Sequence, residues 1–367
     1  MDRYVMWVTL IVIYLLVLVN GLLVLTTVEL KLSDRRRYKK YQQMYQRMLP
    51  QLQAYVNNQV QDTKTIMYDG DEMKTQVMLE LLQGSVKLDP IQMRQVCEAL
   101  GYVEGVLRKT KDHALEMKHV KQLGVMRSPK AFEVLMSQIQ SEDFEMMYQS
   151  CYAISLLPLE DTQVKGYVEK LLAADIMRDR TIEMLNNLSL ETSVYWRFLE
   201  KAETELERVI FMRVLENRLD AADDEIIHRI LAAMEDEACS KEVRIASVVA
   251  IGSSKASYVL PRLLERYLKE EAWEVRAAIA KAMHHFSVDE SNKLIGLLKQ
   301  MLYDSSWWVR FNAAEVLARK GLVGIDALVD ISLNNQDQHA ADLAYYILDA
   351  NQSVYQTIQK TEVEEVE

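Results

Sequence analysis

Glycine and proline are scarce in this chain of 367 residues, at 11 and 5, and cysteine is scarcer, at 3. Sandwiches and barrels need glycine- and proline-bearing turns every few residues, so this shortage excludes a turn-rich β architecture. Cys97, Cys151 and Cys239 are too scattered for a disulfide framework or for the close ligand pairs of a zinc site, and they read as reduced thiols of a cytosolic compartment. A surplus of positive charge is missing as well. With a net charge of -11 the chain has little to displace counterions from a phosphate backbone, which argues against nucleic acid as a partner. What the chain does have is apolar mass: half of its residues are hydrophobic, too many for a disordered polypeptide, and the composition predicts a mostly helical protein.

Charge is absent altogether from residues 4–28, an uninterrupted run of 25 between Arg3 and Glu29. At about 1.5 Å per residue such a helix exceeds the ~30 Å hydrocarbon core of a bilayer, so a membrane-spanning helix is expected. A cleaved signal peptide fits less well, because the run is longer than a signal h-region and no small-x-small cleavage site follows it. Inside the span, Asn20 and Gly21 suit an interhelical hydrogen bond and a close approach. The flanks orient the helix. Asp2 and Arg3 cancel, whereas Lys31, Arg35, Arg36, Arg37, Lys39, Lys40 and Arg47 against Glu29 and Asp34 give a net +5 on the C-terminal side. The positive-inside rule then places the N-terminus outside and the body in the cytoplasm. Residues after Arg47 carry -16, so the basic strip is local. Arg35, Arg36, Arg37, Lys39 and Lys40 are candidate contacts to anionic lipid headgroups at about 1 kcal/mol each, with a stop-transfer signal of no lipid specificity as the simpler reading.

Past the strip, Tyr38, Tyr41, Tyr45, Met48, Leu52 and Tyr55 step by three and four along one helical seam. A short seam interrupted at Pro50 favours packing onto the next helices over a dimeric coiled coil, and a stalk joining two protomers stays open as the alternative. Residues 57–71 hold Asn-Asn and Asp-Gly-Asp, turn chemistry that suits a hinge.

The body repeats itself. The segments KEVRIASVVAIG (241–252), WEVRAAIAKAM (273–283) and WWVRFNAAEVL (307–317) superpose on Val243, Val275 and Val309, which are 32 and 34 residues apart. Each follows another amphipathic run, so one unit is two helices. A helix pair of that length cannot bury its own apolar face, and stacking pairs makes a continuous core. The pattern Val-Arg-x-x-Ala-Ala-x-x-Leu, with an acid or Trp just ahead, resembles the HEAT repeat in the short form of bacterial HEAT proteins and phycobilisome-lyase-like repeats. Weaker units centre on residues 115–124, 146–156, 177–185 and 207–215. By helical phase Val243, Val275 and Val309, with Ala250, Ala282 and Val316, belong to the core. The resemblance implies that Arg244, Arg276 and Arg310 bond to neighbouring units as a structural ladder.

Catalytic readings find little support. The six histidines are His113, His119, His228, His284, His285 and His339. HEAT-like deoxyhypusine hydroxylases hold iron through His-Glu pairs, and no His here precedes Glu. His284 and His285 point about 100° apart on a helix, unlike an i, i+4 metal pair. A lyase-like activity stays as the alternative from another class, although a membrane anchor departs from that pattern. DNA-glycosylase relatives use a basic concave face, and this body is acidic. No P-loop or nucleophile elbow appears. No catalytic residue, metal ligand or cofactor is therefore assigned.

Surface remains. Ile245, Ala277 and Phe311, each two residues past its Val, are expected to form an apolar strip flanked by Glu242, Glu274 and Glu315. Trp308 stands where the other units carry Glu242 and Glu274, which marks it as a binding anchor, whereas Trp273 and Trp307 are expected to pack between helices. The expected architecture is all-α, a right-handed α-solenoid of HEAT-like helix pairs preceded by one transmembrane helix. Its parts are an anchor (1–28), a basic juxtamembrane amphipathic helix and hinge (29–70), the solenoid (71–350) and an acidic tail (351–367). The expected role is a membrane-anchored cytoplasmic scaffold that positions a membrane-associated protein, such as a membrane enzyme or an envelope or polysaccharide assembly complex. The bilayer is contacted through residues 4–28, nucleic acid is not a partner, and a homodimer is the alternative assembly.

Overall fold

The computed structural model describes residues 2–59, 63–112, 115–216, 218–254, 256, 258–287, 293–333 and 337–351. His113 and the acidic tail past Asn351 lie outside the described residues, as does part of the expected hinge. Every regular element among the described residues is helical. The chain divides into two units, Met1–Ala174 and Asp175–Glu367.

The first unit contains α1 (Asp2–Val56), α2 (Glu72–Glu80), α3 (Pro90–Ala99), α4 (Tyr102–Asp112), α5 (Met117–Met126), α6 (Phe132–Met136), α7 (Phe144–Ser155) and α8 (Asp161–Ala173). At 55 residues α1 is about 80 Å long, and it is long and apolar enough to cross a membrane. It runs straight through Pro50, where an interruption was expected. A helix-interior proline costs about 3 kcal/mol, and here burial offsets it: Met48 and Leu52, on either side, are 1% and 0% exposed. This stretch of α1 packs on α2 and on the π-turn Leu81–Ser85 that continues α2. The Tyr41 hydroxyl donates to Glu80, and the Tyr45 and Ser85 hydroxyls lie 2.5 Å apart. The tyrosine seam is thus occupied within the chain from Tyr41 to Leu52, while Tyr38 stays exposed. Asn20 donates to Leu16 O within its own helix.

Residues 63–71, part of the expected hinge, are pinned. Ile66 is buried and its carbonyl accepts from the Tyr102 hydroxyl at 2.9 Å; Tyr68 N–H donates to Leu100 O, and Lys109 reaches Gly70 O. Asp71 then caps α2 by accepting from Met73 and Lys74 N–H, so the turn residues serve as a helix start. Further on, α5 and α7 pack side by side over two of the weaker repeat segments. Helix α5 carries His119, which is buried, and burial first of all holds its imidazole below the usual histidine range.

The second unit contains α9 (Arg178–Asn187), α10 (Thr192–Glu200), α11 (Glu205–Leu215), α12 (Asp224–Glu235), α13 (Lys241–Ser253), α14 (Val259–Lys269), α15 (Trp273–Ala282), α16 (Lys293–Met301), α17 (Trp307–Ala318), α18 (Gly321–Leu333) and α19 (Gln338–Ala350). Its packing is that of stacked helix pairs. Helices α9, α11, α13, α15, α17 and α19 each pack on the next, and α10, α12, α14, α16 and α18 each pair with the helix that follows. Val243, Val275 and Val309, with Ala250, Ala282 and Val316, are buried along the successive second helices.

Those second helices run parallel and in register. Asn312 of α17 donates to Ala277 O of α15 at 2.9 Å, from nearly the same position in its repeat. At the far end, a Cβ added to Gly252 of α13 would lie 2.9 Å from the Ala282 Cβ of α15. Glycine is therefore needed there for close approach. Gly252→Ala forces α13 and α15 apart and is expected to cost about 1–3 kcal/mol, read as a lower urea midpoint with an unchanged slope.

Candidate functional site

The parallel register brings the N-termini of the second helices to one edge of the unit Asp175–Glu367, and that edge is unusually apolar. Trp273, the first residue of α15, is 41% exposed. Trp307 and Trp308, the first two residues of α17, are 47% and 53% exposed. Phe311, one turn on, stacks on Trp307 with centroids 5.0 Å apart, and Trp308 meets Trp307 edge-on at 4.8 Å. Leu206 near the start of α11 and Met177 just ahead of α9 are exposed at equivalent places, and Lys241 interrupts the row at α13.

Buried charge fixes the loops that lead into α15 and α17. Glu270, in the loop before α15, is almost wholly buried. Its carboxylate accepts both forks of Arg244 from the preceding repeat at 3.1 Å, and Arg266 from the end of α14 at 2.8 Å. It also accepts Ala272 N–H at 3.0 Å, which fixes the backbone one residue before Trp273. Asp304 repeats the device. It accepts Arg276 at 2.8 and 3.0 Å, the Tyr267 hydroxyl at 3.1 Å, and Ser306 N–H at 2.8 Å, one residue before Trp307. Burial works to raise both carboxyls; the N–H donors and guanidinium groups outweigh it and hold both below the usual carboxylate range. Each arginine also ties its own loop: Arg276 donates to Glu270 O and Glu271 O, and Arg310 to Asp304 O. Arg244 and Arg276 are thus inter-repeat bonds, whereas the Nε of Arg310 is buried with no partner among the described residues.

The apolar strip expected from helical phase is not a continuous open surface. Ile245 is half-buried, Phe311 is partly covered by Trp307, and Ala277 is 7% exposed because α15 lies between α13 and α17. The expectation that Trp273 and Trp307 pack between helices also fails: first-turn side chains point past the neighbouring helices into solvent. Of the acids expected to flank the strip, Glu242 is exposed, Glu274 pairs with Lys241 at 2.6 Å, and Glu315 pairs with Arg319 at 3.2 Å. Sequence reasoning missed Glu270, Asp304 and Arg266. The signal was available in the spacing: Asp236, Glu270 and Asp304 are 34 residues apart, and each accepts the N–H two residues on.

In the first unit, Arg35, Arg36, Arg37, Lys39 and Lys40 are exposed along α1, with Lys40 3.9 Å from Asp71. His284 and His285 sit in a 3-10 turn with ring centroids 4.1 Å apart. Among the described residues no three His, Cys, Asp or Glu side chains converge as metal ligands would.

The family model for HEAT repeats matches residues 227–318 and 260–348. No curated protein matches the chain. The crystal structure of an engineered protein is similar over 75% of this chain and 88% of that one, at 15% sequence identity and a TM-score of 0.32.

Glu270→Gln leaves Arg244 and Arg266 buried without a counter-charge, and the expected cost is about 3–5 kcal/mol, seen as a lower thermal midpoint. Because Glu270 is held below its ordinary value of 4.5, its contribution is full above that pH and fades as pH falls through the lower folded value. An acid titration of wild type should show this loss, and the variant should lack it.

Proposed function

Because residues 227–348 are HEAT repeats, we propose that this chain is a scaffold that binds another protein and is held at a membrane by α1. The observation that carries the reading is the three exposed tryptophans Trp273, Trp307 and Trp308, with Phe311 stacked on Trp307, along a rigidly tethered edge. Solvent-facing tryptophans grouped in this way are the composition of binding hot spots, in which a few aromatic anchors supply most of the affinity. Trp308 and Phe311 are the central contacts. Ile245 and Glu242 extend the surface along α13, Glu274 and Glu315 contribute at its rim, and Ala277 supports it from beneath.

Membrane attachment is supported by the surface of α1. Leu22, Leu23, Val24 and Leu25 are all more than half exposed with no protein cover, an arrangement that water disfavours and lipid accepts. The basic residues 35–40 then lie at the headgroups, and the body lies in the cytoplasm by the positive-inside rule. A helix that continues unbroken from the span into its contact with α2 keeps the scaffold near the bilayer, so a membrane-associated partner fits, such as a membrane enzyme or an envelope or polysaccharide assembly complex.

Photo-crosslinking in native membranes from a probe at position 308, followed by mass spectrometry, tests the reading. The expected result is one dominant captured protein, lost when Trp273 and Phe311 are changed to Asp. Capture confined to the chain itself, or spread evenly over abundant proteins, would sink the proposed edge.

A further inference from the structure

A second feature of the unit Asp175–Glu367 is independent of the tryptophan edge. Helices α10 to α13 enclose a cavity of about 200 Å³. Its floor is formed by the core side chains Leu199, Met212, Ile230 and Val243, and one wall is the Trp196 indole. Polar groups stand at its mouth. Arg229 lies over the indole, 5.6 Å from the ring centroid, and is already committed to Glu200 at 2.5 Å and Glu225 at 2.9 Å. Arg208 is different: it is exposed at the mouth and makes no ion pair among the described residues. Cys239 completes the rim, with its thiol 3.8 Å from Asp236. Burial first, then Asp236, hold that thiol above its usual range against the pull of Arg208 and Arg244, so Arg208 bears electrostatically on the cavity.

Size and chemistry limit what the cavity accepts. Pockets for drug-sized molecules run to about 300–1,000 Å³, so this one admits a single side-chain-sized group. It holds the volume of roughly half a dozen waters, and its apolar floor offers them few hydrogen bonds. Displacing them with an apolar group is favourable, and Arg208, the one uncommitted cation at the mouth among the described residues, selects a negative charge beside that group. We propose that this cavity binds an aromatic or large aliphatic group that carries a carboxylate, with the apolar part against Trp196 and Met212 and the carboxylate on Arg208. The C-terminal residue of a partner chain and a free small carboxylic acid share this chemistry.

Cys239 supplies the readout, because Cys97 and Cys151 are buried and Cys239 is not. The full-length protein in lipid nanodiscs is alkylated with a maleimide in the presence of phenylacetate, its neutral amide, or a short peptide ending in Phe with a free or amidated C-terminus. The carboxylates should slow labelling severalfold, and the amides should need concentrations about tenfold higher. Arg208→Ala, at an exposed position, should abolish that difference without moving the thermal midpoint. Protection by the free-acid peptide below the concentration needed for phenylacetate assigns a chain terminus as the ligand; the opposite order assigns a small acid. No protection by any probe, or equal protection by acid and amide, overturns the proposal.

Discussion

The buried guanidinium–carboxylate bond between successive repeats is the constraint on which the second unit turns. Glu270 joins Arg244 of one repeat to Arg266 of the next, and Asp304, in the loop of the following repeat, takes Arg276 and the Tyr267 hydroxyl of the repeat before it. Such pairs add little net stability, since desolvation cancels much of their attraction. Their value is positional. Apolar packing is tolerant of small slides, whereas a two-pronged bond to a carboxylate that also accepts a loop N–H admits one register.

That register decides what reaches the surface. The carboxylates secure the backbone one residue ahead of Trp273 and Trp307, so each tryptophan leaves the core in the first turn of its helix, where the neighbouring repeat does not cover it. The stack of Trp307 on Phe311 then braces the cluster from within. Stacked helix pairs with a solvent-facing aromatic edge form a surface suited to recognition.

Much of this was legible in the sequence, for identifiable reasons. The Val-Arg pairs are periodic because the valines must meet the same core at every repeat, and the arginines after them must tie the loop ahead of their own helix, Arg244 to Cys239 O, Arg276 to Glu270 O and Arg310 to Asp304 O; both show at 32 and 34 residues. The uncharged run of residues 4–28 and the tyrosine seam of α1 are equally local signals. What sequence phase misjudged depends on neighbours. Ala277 and Trp273 sit on one helix four residues apart, and only the packing of α13 and α17 against α15 makes the small residue the hidden one and the large one the exposed one. Pro50 misled for a related reason, because burial of Met48 and Leu52 outweighs a local preference. The acids Glu270 and Asp304 lie in the loops between helices, outside the helical periodicity that marks the core positions of each repeat.

The account stands on the claim that the inter-repeat ion pairs hold the tryptophan edge in place. Fluorine NMR of protein labelled with 5-fluorotryptophan tests it directly, since the chain has only five tryptophans and each resonance can be assigned by a Trp→Phe variant. Arg276→Met combined with Asp304→Leu replaces the buried pair by apolar side chains, an exchange that is often neutral for stability. The account predicts that the Trp307 and Trp308 resonances broaden or split in this variant, while Trp7 and Trp196 keep their positions and the thermal midpoint moves little. Five resonances unchanged from wild type would contradict it, and would mean that apolar packing alone sets the edge.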